Sequence, residues 1–423
     1  MQLLPEERIL SQLEVLRVRI LYIATSFPTP EAGATIYTDL AEALVAAGHE
    51  LTVVVSEQPS KQRTTGVTCE RGFDVLRIVT GKYYDVGFVR KGFTAFLIPF
   101  LLRHGIDKHL KYRNFDVVLF ESPPVTTGSL VGWLKARFGC RSYLMLKDIF
   151  PQNAVDLSII RKYSPIYYYF RFLAKAQYKV ADIIGCMSVA NVEYVRLHNI
   201  QLPASKVELF PNTKKLKPYT VSYNSALRHS FAIPANARVF LMGGNIGPPQ
   251  YVDLLCKVVV ACKNDDDIFF LFVGRGTSRN QLEKTIKEEG ITNARVLANM
   301  PRHEYEQILA MSDIGLLTLH PGFTIPNYPS RILSYLEQAK PVLAATDLCS
   351  DIRTLIEEAQ CGRWVWSGDL HAVVMAIREM AANDNLAGQG SNGRTYMEQN
   401  FAVERSVKIL ERHFALKEQR DDV

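Results

Sequence analysis

LHPGFTIPNYPSRILSYLEQAKPVL, residues 319–343, decides the fold of the half of the chain that contains it. It begins as a turn-rich loop, predicts an amphipathic helix over residues 332–338, and ends in an apolar strand over residues 341–345. The free N–H groups and the dipole at a helix start favour an anion, and Arg331 adds a planar cationic fork that suits phosphate. The stretch therefore predicts a diphosphate site in an α/β domain. Alternatively, Ser330 only caps the helix and Arg331 is an ordinary surface residue.

Length and composition are those of a globular protein with two domains. Of the 423 residues, 48% are hydrophobic and 22% are charged. The most apolar run, residues 93–102, contains Pro99 and is shorter than the ~20 residues that span a bilayer. The N-terminus, MQLLPEERILSQ, has acidic residues where an export signal would be basic. We therefore expect a cytoplasmic protein in which residues 1–17 form an extension helix.

The cysteines and histidines indicate neither disulfides nor a metal site. The seven cysteines are scattered without a Cys-x-x-Cys pair, and most lie in apolar segments. The nine histidines lack ligand spacings such as His-Glu-x-x-His. We expect reduced thiols and no bound metal.

Charge divides the chain unevenly. Residues 1–215 hold 27 Lys and Arg against 19 Asp and Glu, a net charge of +8, whereas the remainder has 22 against 24, a net charge of −2. Solvated surface charge alone could produce this difference. An anionic partner for the first half is nevertheless a reasonable expectation.

Buried strands and helices alternate twice along the chain. The first series, residues 18–215, predicts a doubly wound domain, and Gly33 follows its first strand at the edge where such sheets bind ligands. Gly33 is expected either to approach a phosphate or only to form a turn. A polar linker over residues 213–225 leads to a second series, residues 226–400, and residues 401–423 form a C-terminal helix and tail that could return to the first domain. The cleft between the two domains is the expected ligand site.

Several motifs, through their order and spacing along the chain, carry a resemblance to a known family. They are SFPTPEAGATIYTDLAEALVAAGHELTVV near the start, DVVLFESPPVTTG at 116–128, KDIFPQNAVDL at 147–157, GGNIGPPQ at 243–250, FLFVGRGT at 270–277 and PSRILSYLEQAKPVLA at 329–344. Residues 18–415 resemble the family-4-type retaining glycosyltransferases of bacterial surface-polysaccharide assembly, in particular the fucosaminyl transferase branch of O-antigen synthesis. The resemblance implies the GT-B fold, an α/β architecture of two Rossmann-like domains facing across a cleft.

The resemblance also implies a donor site in the second domain. It places the nucleotide diphosphate between a glycine loop and the loop of residues 327–331, with the base held near the turn at residues 299–301. Arg331 stands where the branch commonly has a lysine. The donor-binding residues predicted in this way are Gly33, Gly244, Asn245, Gly247, Arg275, Asn299, Asn327, Tyr328, Ser330, Arg331, Ser334 and Glu337.

One departure concerns the family's Glu-x7-Glu pair, which would fall on Pro326 and Ser334. Neither carboxylate is therefore present. Glu337 lies three residues after Ser334 on the same helix face, so we expect it to replace the ribose contact. The alternative is that Glu337 is a surface glutamate.

Asp148 matches the aspartate of the branch's Arg-Asp-Leu-Trp-Pro-Glu motif, here KDIFPQN at 147–153. It is the predicted catalytic residue, orienting the acceptor hydroxyl or the donor sugar, unless it only caps the segment after Pro151. Gln152 and Asn153 would bind sugar hydroxyls. The resemblance implies a retaining reaction without a metal or other cofactor, in which the nucleotide sugar is a substrate.

Two basic, aromatic stretches, residues 82–113 and 161–179, indicate where the acceptor binds. Helices of this composition can lie in a membrane interface, although the aromatic side chains could instead face the core. No nucleic-acid motif accompanies them. We expect a lipid-linked sugar acceptor and a peripheral location on the inner face of the cell membrane.

Two other functions remain open from the sequence. A GT-B nucleotide-sugar 2-epimerase would need no membrane surface, so the first domain argues against it. A non-catalytic binding subunit is suggested by the missing carboxylate pair.

Overall fold

The computed structural model describes residues 17–59, 64–81, 88–219 and 225–414. The predicted helix before residue 17 lies outside them. The first domain is built on an eight-stranded sheet with the order β3-β4-β2-β1-β5-β6-β7-β8. Its strands are β1 (Arg19–Ala24), β2 (Glu50–Glu57), β3 (Gly66–Glu70), β4 (Phe73–Val79), β5 (Val117–Ser122), β6 (Arg141–Leu146), β7 (Ile183–Cys186) and β8 (Val207–Leu209).

Strand order reverses between β1 and β5, so the helices of the first domain cover both faces of the sheet. They are α1 (Ile36–Ala46), α2 (Phe88–His109), α3 (Gly128–Phe138), α4 (Gln152–Asp156), α5 (Pro165–Val180) and α6 (Val189–His198). Helices α2, α3, α5 and α6 bury their apolar sides in one core cluster, and α1 belongs to another. All strand pairs are parallel except β3 with β4, which form an antiparallel edge hairpin.

The second domain has a six-stranded parallel sheet with the order β11-β10-β9-β12-β13-β14. Its strands are β9 (Arg238–Asn245), β10 (Ile268–Arg275), β11 (Ala294–Leu297), β12 (Ile314–Thr318), β13 (Val342–Thr346) and β14 (Gly362–Trp366). Its helices are α7 (Ser225–Ser230), α8 (Val252–Ala261), α9 (Arg279–Glu288), α10 (Arg302–Met311), α11 (Arg331–Glu337), α12 (Ile352–Ala359), α13 (Leu370–Ala381) and α14 (Leu386–Asn400).

The chain crosses between the domains twice. The first crossing follows β8, and the second leads from α14 into α15 (Val403–Phe414). Lys214 and Ala402 form a β-bridge where the crossings meet, with Lys214 N–H donating to Phe401 O (2.9 Å) and Val403 N–H donating to Lys214 O (3.1 Å). Helix α15 then packs on α1, where Leu410 is fully buried in the core of the first domain.

These observations confirm the predicted α/β class and the two doubly wound, Rossmann-like domains. The β3–β4 hairpin was not predicted, nor were β14, α13 and α14. The hairpin is joined by a tight turn at Arg71 and Gly72, both with positive φ (53° and 87°). Because α11 begins at Arg331 itself, its side chain stands at the first helical position.

Candidate functional site: a cleft between the two domains

A cavity of about 500 Å³ lies between the carboxyl ends of the two sheets. The first domain contributes residues 34–37, which lead into α1. The second domain contributes the end of β9, one side of α10 and one side of α11 from Arg331 to Glu337. Open α/β sheets bind ligands at this edge, because the loops that follow the strands converge there.

Arg331 is one of three cationic side chains that line the cavity, together with Lys214 and Arg302. Its Nη2 donates to the backbone oxygen of Asn245 at 3.4 Å, whereas its buried Nη1 has no hydrogen-bond partner among the described residues. Burial lowers the pKa of the guanidinium below its usual value. A buried cation with an unused donor is costly in an empty site and favourable once an anion accepts that hydrogen bond.

Glycines bring the backbone close to Arg331. A Cβ added at Gly243 would lie 2.1 Å from the Tyr305 hydroxyl oxygen, and one at Gly274 would lie 1.8 Å from the carbonyl oxygen of Gly244. Gly244 itself has φ = 104°, which favours glycine. A side chain at Gly243 or Gly274 would therefore disturb the backbone arrangement beside the cavity.

Glu337 and Lys214 form a buried ion pair at the other end of α11. Their side chains are 2% and 7% exposed, and both line the cavity. Burial lowers the pKa of Lys214, which the nearby Glu337 carboxylate partly opposes. Lys214 donates its hydrogen bond to Oε2 of Glu337. Within the part of the chain that the structure describes, the buried Oε1 has no hydrogen-bond partner. The cavity thus has an unused donor at one end and an unused acceptor at the other.

A second cavity of about 590 Å³ adjoins the first and shares Ala34, Arg302 and Glu306 with it. Gly33 lies on its wall with φ = 101°, and its carbonyl accepts a hydrogen bond from Arg71. Asp39 of α1 also lines this cavity, and burial raises the pKa of its carboxyl group. The two cavities form one groove along the domain boundary.

The structure brings together about half of the predicted donor residues. Those that line the cavity beside α11 are Gly244, Asn245, Ser330, Arg331, Ser334 and Glu337. Gly33 lies in the adjoining cavity. Gly247 precedes a short 3-10 helix, and the exposed Arg275 ends β10 beside Asn245. Asn299 is exposed in the loop before α10.

Tyr328 and Asn327 have other surroundings. Tyr328 is 8% exposed, packs near Phe401 with ring centroids 6.4 Å apart, and lines a separate cavity behind the loop. The Asn327 carbonyl accepts a hydrogen bond from Ser350 Oγ at 2.6 Å. The side chain of Tyr328 therefore contacts the domain interior rather than the cleft, because the loop turns it toward the second crossing.

The predicted first-domain residues form a local network after β6. Asp148 accepts hydrogen bonds from Ile149 N–H (2.8 Å) and from Asn153 Nδ2, and burial raises the pKa of its carboxyl group to about 6. Gln152 Nε2 donates to Asp156 (2.7 Å). Asp148 does not cap α4 with its side chain, and it does not line either of the two cavities.

The cavity residues missed by the sequence reasoning include Lys214, Arg302 and Tyr305, and Tyr335, which supports the cavity from behind, was missed as well. Tyr335 Oη accepts from Gly243 N–H (3.4 Å) and donates to Leu316 O (3.1 Å), so it holds α11 against β9 and β12. No sequence motif marks these residues. Lys214 could have been suspected from its position directly after the last strand of the first domain.

The outer face of the first domain is aromatic and basic. Phe96 and Phe100 on α2 are 50% and 57% exposed, and Tyr168 and Phe172 on α5 are 57% and 69% exposed. The core-facing alternative is therefore wrong for these four side chains. No helix within the described ranges is long and apolar enough to span a membrane.

Two Rossmann-like domains facing across such a groove define the GT-B fold, and comparison with solved structures confirms it. Sucrose-phosphate synthase from Thermosynechococcus elongatus superposes with a TM-score of 0.73 at 15% identity, over 94% of this chain and 98% of that one. HepE from Anabaena, in complex with UDP and glucose, superposes with a TM-score of 0.67 at 15% identity, over 95% of this chain and 100% of HepE. WaaG, a glycosyltransferase involved in lipopolysaccharide biosynthesis, superposes with a TM-score of 0.64 at 15% identity, over 92% of this chain and 99% of WaaG.

The second domain has a more specific relationship. Residues 224–395 match the family described as Glycosyl transferases group 1. The probable glycosyltransferase WbjE of Pseudomonas aeruginosa is 26% identical over 301 residues, which are 69% of this chain and 72% of that protein. The second domain is thus similar to the group 1 glycosyltransferases, and these matches support glycosyltransferase activity.

Proposed function

We propose that this protein transfers a sugar, with retention of configuration, from a nucleoside-diphosphate donor to a polyprenyl-diphosphate-linked saccharide during assembly of a bacterial surface polysaccharide. The observation that carries the proposal is the buried, unused Nη1 of Arg331 in the interdomain cavity. A diphosphate would accept this hydrogen bond and neutralise the guanidinium. The fucosaminyl transferase branch remains the predicted subgroup.

The groups that line the groove follow one another in the order in which a nucleoside diphosphate would contact them. The diphosphate would lie at Arg331 and the Gly243–Gly244 backbone, and the ribose hydroxyls would donate to the free oxygen of Glu337. These two side chains are six residues apart on α11, or about 9 Å along the helix axis. The base would then extend into the adjoining cavity near Pro301. UDP is the proposed nucleotide, and the UDP complex of the structurally similar HepE supports this choice.

The proposed mechanism follows from the negative charge that develops on the leaving diphosphate. The bond between the anomeric carbon and the diphosphate breaks, and the diphosphate takes up the negative charge beside Arg331. The acceptor hydroxyl forms the new bond on the same face, and its proton passes to the departing phosphate. In this buried setting a fixed cation stabilises the leaving group strongly, and removal of such a donor costs about 3 kcal/mol. That the reaction needs no metal stays a prediction.

Asp148 is proposed to act from the first domain, by orienting the acceptor hydroxyl or the transferred sugar. Its carboxyl group follows β6, at the edge of the sheet that faces the cleft. Gln152 and Asn153 already donate to Asp156 and Asp148. They would reach sugar hydroxyls with their remaining groups, and the buried Asn153 Oδ1 has no partner within the described residues.

The lipid-linked acceptor would be presented at a membrane. Helices α2 and α5 lie on the same face of the first sheet, and both expose aromatic rings beside lysine and arginine. Aromatic rings enter the headgroup region and cations attract anionic lipids. The proposed location is therefore the cytoplasmic surface of the cell membrane.

Calorimetric titration with UDP tests the donor site. Arg331→Met should weaken UDP binding by about 30-fold or more, while leaving thermal stability unchanged or higher, because an unpaired buried charge is removed. Arg363→Met, at an exposed arginine paired with Glu379, is the matched control and should bind like the wild type.

Wild-type protein that gives no heat with UDP or other nucleoside diphosphates would reject the proposal and favour a non-catalytic subunit. Incubation of a nucleotide sugar without acceptor distinguishes the remaining alternative by mass spectrometry and NMR. A transferase leaves the sugar configuration unchanged, whereas a 2-epimerase converts it.

A further inference from the structure

The loop that leads into Arg331 is held mainly by the other domain. Residues 324–328 form hydrogen bonds with α4, α6 and the first crossing, all parts of the chain outside the second domain: Thr324 N–H donates to Asp156, and the Pro326 and Tyr328 carbonyls accept from Asn191 and Asn212. We propose that Asp156 and Asn191 are positioning residues that form a latch between the domains. The latch fixes the donor loop and thereby aims Arg331. The proposal rests on the proposed function for its catalytic meaning, but not for its geometry.

Asp156, the last residue of α4, makes the outer half of the latch. Its Oδ2 accepts from Thr324 N–H at 2.8 Å, and both carboxylate oxygens lie 3.0 Å from Thr324 Oγ1. Gln152 Nε2 donates to Asp156 Oδ1 (2.7 Å) and to Thr324 Oγ1 (3.3 Å). A carboxylate that satisfies both the backbone and the side chain of one residue fixes its position and orientation.

Asn191, on α6, makes the inner half. Its side chain is buried and donates through Nδ2 to the carbonyl of Pro326. One residue earlier, Ala190 N–H donates to Asp351 Oδ2 of the second domain at 2.8 Å. The first domain donates both of these bonds, whereas Thr324 N–H of the second domain donates to Asp156, and the buried Asn191 bond is shielded from water, where it is stronger.

The loop has few supports of its own. From the described part of the second domain, Ser350 Oγ donates a hydrogen bond to the Asn327 carbonyl in this segment. Opening the cleft would break the bonds to Thr324 and Pro326 together and release the segment that ends at Arg331. Domain closure and donor binding should then be coupled, because only the closed form presents the aligned guanidinium.

The test combines calorimetry with small-angle X-ray scattering on the full chain. Asp156→Ala should weaken UDP binding about tenfold, since a smaller fraction of molecules is closed. It should also raise the radius of gyration without ligand, and saturating UDP should restore the wild-type radius. Thr324→Val keeps the backbone donor and should have a smaller effect. The double variant should bind UDP no more weakly than Asp156→Ala, because both changes remove one interaction.

Asp369→Ala is the matched control, since Asp369 accepts a backbone hydrogen bond (Ala372 N–H, 3.0 Å) entirely within the second domain. It should leave both UDP affinity and radius unchanged. If Asp156→Ala keeps the wild-type affinity and radius while Arg331→Met loses UDP, the latch is rejected and the donor site stands. If the wild type does not bind UDP, the proposed function fails, and the radius alone decides on the latch.

Discussion

The carboxylate of Glu337 should distinguish UDP from its deoxy analogues. Glu337 lines the cavity and Lys214 donates to its Oε2, while the buried Oε1 has no hydrogen-bond partner among the described residues. A ribose hydroxyl that donates to a buried carboxylate contributes about 1.5–3 kcal/mol, which corresponds to a loss of about 10- to 150-fold in affinity when that hydroxyl is removed. We therefore expect 2′-deoxy-UDP or 3′-deoxy-UDP to bind that much more weakly than UDP.

Removing a hydroxyl group from the nucleotide tests this contact with less disturbance of the protein than a substitution of Glu337 does. Glu337→Ala alone would leave the Lys214 ammonium buried without a partner, at a cost of about 3–5 kcal/mol in stability. Replacing both residues, as in Lys214→Met with Glu337→Leu, removes the ion pair with little net loss, because apolar pairs often substitute for buried ion pairs.

Calorimetry with UDP and both deoxy analogues would measure the effect in the wild type and in the double variant. The double variant should bind all three nucleotides within about twofold of one another, near the wild-type affinity for the weaker analogue. Equal binding of all three nucleotides by the wild type would refute the reasoning. So would a ratio of affinities that the double variant leaves unchanged.

Three further outcomes are expected. If Asp148 acts as a carboxylate, turnover should rise with pH through its pKa of about 6, because the group is protonated below that value. Asp148→Asn should lower turnover and remove this inflection. Initial rates measured across pH 5–8 would show both effects. Phe100→Ser with Phe172→Ser should reduce sedimentation with vesicles containing anionic lipid by roughly tenfold, with thermal stability unchanged because both rings are exposed. Gly274→Ala should abolish UDP binding or folding, as calorimetry and circular dichroism would show, since its Cβ would overlap the Gly244 carbonyl oxygen; a variant that folds and binds UDP normally would contradict this.

The fold was predictable because its signals are local. Apolar runs bounded by turn residues identified the core strands of both sheets, and the helix after the central loop was placed to within one residue. The β3–β4 hairpin escaped prediction because its first strand, Gly66–Glu70, alternates weakly and is half exposed. Strand β14 was missed for a similar reason, since only Val365 is buried in it.

The candidate site was predictable only in part, because much of it depends on distant pairs. Arg331 could be recognised from its place at a helix start. The pairing of Glu337 with Lys214 joins residues 123 positions apart, and nothing near either residue in sequence signals it. Tyr328 shows the opposite case. Its neighbours suggested a ligand contact, but its orientation is decided by packing against Phe401, 73 residues later in the chain.

The double crossing at Lys214 and Ala402 also affects how the protein can be handled. Because the two connections between the domains touch each other, they act as a hinge. The domains can rotate about the axis of this hinge but resist rotation about other axes. Helix α15 rests on α1, on the sheet face opposite α2 and α5, so this helix lies on the first domain and away from the aromatic face. A fluorescent label attached at Lys408, which is exposed on α15, should therefore report on the first domain and leave contact with a vesicle surface undisturbed.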